Sequence, residues 1–156
     1  MAQQLWLLRH GEAEPHGQRP DEQRQLTERG ERQSRDAGRA LAALGVDFDA
    51  VFASPRVRGI DTARLACEAL GLEAIEHQPL SSGFGAPDAR ELLGGYGDRA
   101  RVLVSGHEPD FSMTVHDLTG ARIDLKKGGL AVVRLDGTLS ELILLLRPRE
   151  LAAIAG

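Results

Sequence analysis

An arginine and a histidine stand side by side at Arg9-His10, followed by Gly11 and Glu12, directly after the apolar run Leu5-Trp6-Leu7-Leu8. Arginine offers a planar fork of donors matched to phosphate oxygens, and neutral imidazole is one of the few side chains able to attack phosphorus near pH 7. Gly11 allows a sharp turn and a close approach of the backbone to a bound anion. The pattern therefore points to phosphoryl chemistry at the polar tip of a short strand. For the triplet taken alone, a solvated strand end is the competing reading.

Two more junctions carry similar residues: Ser54-Pro55-Arg56-Val57-Arg58 after the apolar Val51-Phe52-Ala53, and Ser105-Gly106-His107-Glu108-Pro109 after Arg101-Val102-Leu103-Val104. Parallel strands bring their carboxyl ends to one edge of a sheet, where ligands of open α/β folds bind. His10 and His107 can thus meet although almost a hundred residues separate them. One such junction is an accident of composition; three at corresponding strand tips are not.

The elements needed to position them can be read along the chain. A strand is predicted over Gln4 to Leu8, and the polar stretch Glu12 to Gln25 reads as a long loop over the active edge. Thr27 is a suitable N-cap for a helix with Ala37, Ala40, Leu41 and Leu44 on one face, closed by Gly45. A second strand spans Val51 to Ala53. A second helix carries Val57, Ile60, Ala63, Cys67 and Leu70 at gaps of three and four and ends at Gly71, which makes Cys67 a core residue. A weaker strand spans Glu73 to His77, a flexible connection Ser81 to Pro87, and a short helix Asp88 to Leu93. The fourth strand is Arg101 to Ser105, and Asp110 opens a helix that Gly120 closes. Leu130–Leu135 and Leu142–Leu146, joined across Asp136-Gly137, form an antiparallel hairpin. The expected architecture is α/β: a three-layer α/β/α domain over residues 1–156, mainly parallel, with that hairpin at its C-terminal end.

Composition sets outer bounds. A chain of 156 residues can bury roughly two-thirds of its unfolded surface without staples. The single cysteine rules out an internal disulfide and suits a reducing compartment, and no segment approaches the ~18 apolar residues of a membrane span. A cytoplasmic location without membrane attachment is expected. The net charge of −4 argues against nucleic acid as a partner. Against that acidic background, Arg9, Arg56 and Arg58 gather beside the chemistry-bearing turns, as a compact anionic ligand requires. No metal-binding motif is present, so neither a metal nor another cofactor is expected.

The sequence resembles the histidine phosphatase superfamily, whose ordered signature is R-H-G, L-T-x-x-G, S-x-x-x-R-x-x-x-T-A and G-H. Here these are Arg9-His10-Gly11, Leu26-Thr27-Glu28-Arg29-Gly30, Ser54 through Ala63, and Gly106-His107. The resemblance covers nearly the whole chain and implies the phosphoglycerate mutase-like fold; the small size resembles phosphohistidine phosphatases of the SixA type. By position, the resemblance makes His10 a nucleophile that is transiently phosphorylated, Arg9 and Arg58 the phosphate-binding arginines, and His107 the second histidine. Gly11, Ser105, Gly106, Arg56 and Glu12 complete the candidate binding set. Arg56 has a helix-terminal surface arginine as its competing reading, and Glu12 a solvated carboxylate.

Larger members that this chain resembles carry an acidic residue after the third strand to protonate an alcohol leaving group, whereas Gln78-Pro79-Leu80-Ser81-Ser82 holds none. Imidazole leaves phosphorus more readily than an alkoxide does, which favours phosphohistidine. Asp88, Glu91 and Glu108 stay open as proton donors. The Ser81 to Asp88 connection is too short for a helical lid, so a phosphorylated protein can enter. A small phosphomonoester as substrate, or a non-catalytic phospho-ligand module, are the alternatives. His16, His77, His116 and the Lys126-Lys127 turn are expected to be solvated.

Overall fold

The computed structural model describes residues 2–156. In chain order the elements are β1 (Gln3–Arg9), α1 (Glu28–Ala43), β2 (Ala50–Ala53), α2 (Val57–Leu70), β3 (Ala74–Glu76), α3 (Ala86–Gly94), β4 (Arg101–Gly106), α4 (Asp110–Thr119), β5 (Leu130–Asp136), β6 (Leu139–Leu146) and α5 (Pro148–Ala155). The strands form one sheet in the order β3-β2-β4-β1-β5-β6. The first four strands in that order run parallel, and β5 and β6 are antiparallel to their neighbours.

Alternation along β1 explains the layers. Leu5 and Leu7 face a core shared with Leu92 and Leu93 of α3 and Phe111, Val115 and Leu118 of α4. Trp6 and Leu8 face the opposite core with Ala37, Ala40 and Leu41 of α1, Ile60 and Ala63 of α2, and Leu151 of α5. A strand covered on both faces reads as a continuous apolar run, which is what Leu5 to Leu8 is.

The local signals place most boundaries. Thr27 Oγ1 accepts from the Gly30 amide at 3.1 Å and starts α1, and Gly71 in the left-handed region ends α2. Several elements differ from the sequence expectation, among them β6, which begins at Leu139 rather than Leu142. The loop over residues 12–25 contains a 3-10 turn at Asp21–Gln23, and its ends are tied by a bridge between Ala13 and Leu26. Helix α3 begins two residues earlier than expected, at Ala86. Beyond the hairpin lies α5, which hydrophobic spacing did not reveal because eight residues present only one fully buried side chain, Leu151. Its start follows the capping rules: Pro148 stands in the first turn, and the Arg147 amide donates to Glu150 at 2.8 Å.

Candidate active site

Sheet register builds the site. Arg9 of β1 pairs with Gly106 of β4, and Ala53 of β2 pairs with Ser105. The next residues, His10, His107 and Ser54, therefore leave three adjacent strand tips together. The imidazoles of His10 and His107 lie 5.2 Å apart between ring centres, tilted by 53°.

Each ring has a defined orientation. His10 Nδ1 lies 2.7 Å from the Gly11 carbonyl oxygen. A carbonyl can only accept, so Nδ1 carries the proton and Nε2 keeps its lone pair free. His107 Nε2 lies 2.7 Å from Ser54 Oγ, which also accepts from the Arg56 amide at 3.2 Å. With that amide on one lone pair, the serine hydrogen is free to be donated to His107 Nε2, the tautomer that would carry its ring proton on Nδ1.

Burial holds His10 down to about 4, opposed by the hydrogen bond to Gly11 and reinforced by the charges of Arg58, Arg9 and Arg24. His107 is held down to about 3, first by burial, then by His10 and by Arg58 and Arg56. Both rings are neutral at pH 7. Desolvation also lowers the guanidinium values of Arg9 and Arg58, which stay charged.

The arginines are clamped by backbone and by one carboxylate. Arg9 Nη1 donates to the Leu125 carbonyl at 2.9 Å. Arg58, in the first turn of α2, donates from Nη1 to the Asp21 carbonyl at 2.7 Å and from Nη2 to its carboxylate at 3.2 Å. Asp21 also receives Arg24 Nε at 3.0 Å and, through a short contact, Arg56 Nη1. Burial pushes the Asp21 carboxyl up, but Arg58, Arg24 and Arg56 outweigh it and the group sits below the usual carboxylate range. After these bonds, Arg9 Nε, Arg58 Nε and His107 Nδ1 remain buried without a protein partner. Such donors are rarely left alone in a folded interior. Arg58, Arg9 and Arg24 all act electrostatically on His10, so its free Nε2 lies in a cradle of positive potential suited to the oxygens of a phosphoryl group.

The spacing of four in Ser54, Arg58 and Thr62 has a mechanical reason, since the latter two share one face of α2. Ser54 orients His107, Arg58 enters the cradle, and Thr62 Oγ1 accepts the Gly11 amide at 3.1 Å while donating to the Arg58 carbonyl at 2.7 Å. Gly11 and Gly30 form a second link. A Cβ on Gly11 would lie 2.5 Å from the Gly30 carbonyl oxygen, and one on Gly30 would lie 2.0 Å from that of Glu12. The R-H-G and L-T-x-x-G segments are two sides of one backbone contact.

Several candidates sit elsewhere. Ser105 is fully buried and donates to the Gly59 carbonyl at 2.9 Å, docking α2 on β4 rather than reaching the cradle. Gly106 contributes through its carbonyl, which accepts from the His10 amide at 3.0 Å. Arg56 is held by Asp21 and by Ser81, at 3.4 Å. Glu12 accepts from the Thr27 hydroxyl at 2.8 Å and lies 4.0 Å from Arg29, facing a neighbouring cleft. Glu108 is occupied by the Ser112 amide and hydroxyl, and Asp88 by the Gly85 amide. His16 is exposed. Cys67 is buried in the core with its thiol pushed up to about 11 by burial. Asp21 and Arg24 were missed: an Asp-x-x-Arg pair in a polar loop carries no sign that the loop folds over α2. Among the described residues, no group of three or more His, Cys, Asp or Glu could hold a metal ion, and no helix is long and apolar enough to cross a membrane.

Residues 5–85 match the sequence profile of the histidine phosphatase superfamily, branch 1. The chain belongs to that family. It is 28% identical over 168 aligned positions to an uncharacterized protein of Picosynechococcus sp., covering 95% of this chain and 98% of that one. It is 36% identical to a 2,3-bisphosphoglycerate-dependent phosphoglycerate mutase of Parvibaculum lavamentivorans over 58% of this chain and 49% of the mutase, so it spans about half that relative's length. Among solved structures, the protein histidine phosphatase SixA complexed with tungstate superposes with a TM-score of 0.84 at 25% identity, covering 95% of this chain and 99% of SixA.

Proposed function

We propose that the protein hydrolyses phosphohistidine in phosphorylated proteins through a phosphorylated His10. The observation that carries this reading is a neutral His10 whose Nε2 is unprotonated, lying 5.2 Å from His107 between ring centres and within the field of Arg58 and Arg9. In the first step His10 Nε2 attacks phosphorus, and the phosphorus–nitrogen bond to the substrate imidazole breaks. The leaving ring, already protonated on its other nitrogen, keeps that electron pair and departs as neutral imidazole. In the second step water attacks phospho-His10, giving inorganic phosphate and neutral His10. Arg9, Arg58 and His107 oppose the charge on the equatorial oxygens, the main task in a loose phosphoryl-transfer transition state.

The choice of leaving group rests on the carboxylates. Asp21, which reaches the arginines of the site, is held ionised by three of them and is a poor proton donor near neutrality. Glu108 and Asp88 are committed to amides. An imidazole, with a conjugate acid near neutral pH, needs no such donor. The likeness to SixA supports the same substrate class. A small-molecule phosphomonoester is the second reading, favoured by the likeness to phosphoglycerate mutase.

The test is rapid-quench turnover of a labelled phosphohistidine peptide against a panel of phosphate esters, with chelator present. The expected result is label on His10 and a strong preference for the phosphoramidate. A preference for esters would overturn the substrate, and absence of label on His10 would overturn the mechanism.

A further inference from the structure

A cleft of about 660 Å³ opens beside the catalytic cradle and shares Arg9 with it as a common wall. Its other walls are α1, the turn at residues 126–127 and the start of α5. They present Arg29, Arg32, Lys126, Lys127, Arg147 and Arg149, all exposed, against two carboxylates, Glu12 and Asp36. The chain as a whole carries −4, so this is a local reversal of sign. Some of these cations have partners: Lys126 with Asp124 at 2.7 Å, Arg147 with Glu150 at 2.7 Å, and Arg149 with Glu150 at 3.7 Å. Arg32 and Lys127 make no ion pair among the described residues.

The turn is bonded to the catalytic strand. The Gly128 amide donates to the carbonyls of Arg9 and His10, at 3.1 and 2.8 Å, and Leu125 accepts the Arg9 side chain. The cleft thus begins where a phosphoryl group held by Arg9 ends.

We propose that this cleft binds an acidic stretch of polypeptide flanking the phosphorylated residue of the substrate, a deepening that rests on the phosphoprotein reading above. Charge complementarity selects an acidic occupant. Its dispersal selects a chain rather than a compact ion. The cations stand on three separate elements and are exposed, whereas a compact phosphate is best held by preorganised donors that converge on one point. An extended peptide offers a side chain every ~3.3 Å and can reach all three walls. Pro148 and Ala152 supply an apolar floor for its backbone.

Four peptides test this: phosphohistidine or phosphoserine at the centre, each with Asp/Glu or with Asn/Gln flanks, assayed on the whole protein. Acidic flanks are expected to raise kcat/KM on the order of tenfold, mainly through KM, and the advantage should shrink in 0.5 M salt. The Arg32→Gln/Lys127→Gln variant should lose most of that advantage while keeping its rate on neutral-flanked peptide and on p-nitrophenyl phosphate. Equal rates on both flanks, or a variant slowed equally on every substrate, overturns the proposal. So does competition by inorganic tripolyphosphate at concentrations where an unphosphorylated acidic peptide has no effect. A faster rate on phosphoserine than on phosphohistidine, with the flank effect intact, overturns the substrate reading alone.

Discussion

Asp21 grips Arg58 twice, its backbone carbonyl accepting one guanidinium nitrogen at 2.7 Å and its carboxylate the other at 3.2 Å. The remaining nitrogen, Nε, is buried and carries no hydrogen bond. A residue outside the expected binding set thus fixes the orientation of the guanidinium. Asp21→Asn removes the charge that gathers Arg24, Arg56 and Arg58 and should lower kcat/KM by roughly 10- to 100-fold, since charged hydrogen bonds are worth about 1.5–3 kcal/mol. The loss should appear in phosphate affinity as well, measured by calorimetry, with the melting temperature little changed. Unchanged phosphate affinity would show that Arg58 needs no such clamp.

The histidines give the protein an acid-sensitive profile of unusual placement. His10 titrates at about 4 in the fold and near 6.5 in the unfolded chain. Between those values the unfolded chain binds more protons, so unfolding free energy rises with pH there and stability is lost on acidification from about 6.5 down to 4. His107, at about 3, adds in the same direction. The acid limb of kcat/KM assigned to His10 should fall near 4, and its imidazole resonance should titrate there in nuclear magnetic resonance. A midpoint near 6.5 would mean a solvated ring. Wild type should lose several degrees of melting temperature more than His10→Asn/His107→Asn between pH 7 and 4.5, on the scale of about 2–4 °C per kcal/mol.

Ser54 Oγ contacts His107 Nε2 at 2.7 Å, and donation of its hydrogen would place the ring proton on Nδ1. Ser54→Ala leaves Nε2 without its donor and lets the ring proton settle on either nitrogen. Turnover should fall about tenfold, the weight of one hydrogen bond near 1.4 kcal/mol, and Ser54→Thr should restore part of it. Nitrogen shifts of His107 provide the independent reading: the wild-type ring protonated at Nδ1, the variant a mixture.

The architecture was legible where one residue type decided a local outcome. Thr27, Gly45 and Gly71 mark helix ends, and Leu5 to Leu8 announces a strand buried on both faces. The approach of His10 to His107 was legible because strand tips converge by topology, which motif order encodes. Asp21 and Arg24 were not, because their role depends on how a polar loop folds over the N-terminus of α2, a long-range outcome that no periodicity reports. Ser105 was misplaced for a related reason. Its position at a strand tip matches the others, but side chains alternate along a strand, and the pleat turns its hydroxyl to Gly59 and away from the cradle.

The backbone contact between the two glycine motifs separates catalytic from architectural loss. His10→Ala removes the proposed nucleophile but no large apolar mass, and at pH 7 it should abolish turnover while shifting stability by no more than about 1 kcal/mol. Gly30→Ala changes none of the proposed catalytic side chains, yet its Cβ would sit 2.0 Å from the Glu12 carbonyl oxygen, a clash with backbone that no side-chain rotation relieves. The R-H-G loop must shift, and overpacking of this kind costs about 1–3 kcal/mol. Gly30→Ala should therefore lower the melting temperature and the rate together, whereas His10→Ala lowers the rate alone. Denaturant unfolding alongside turnover distinguishes them, and a Gly30→Ala protein with wild-type stability and rate would show that the two segments do not touch.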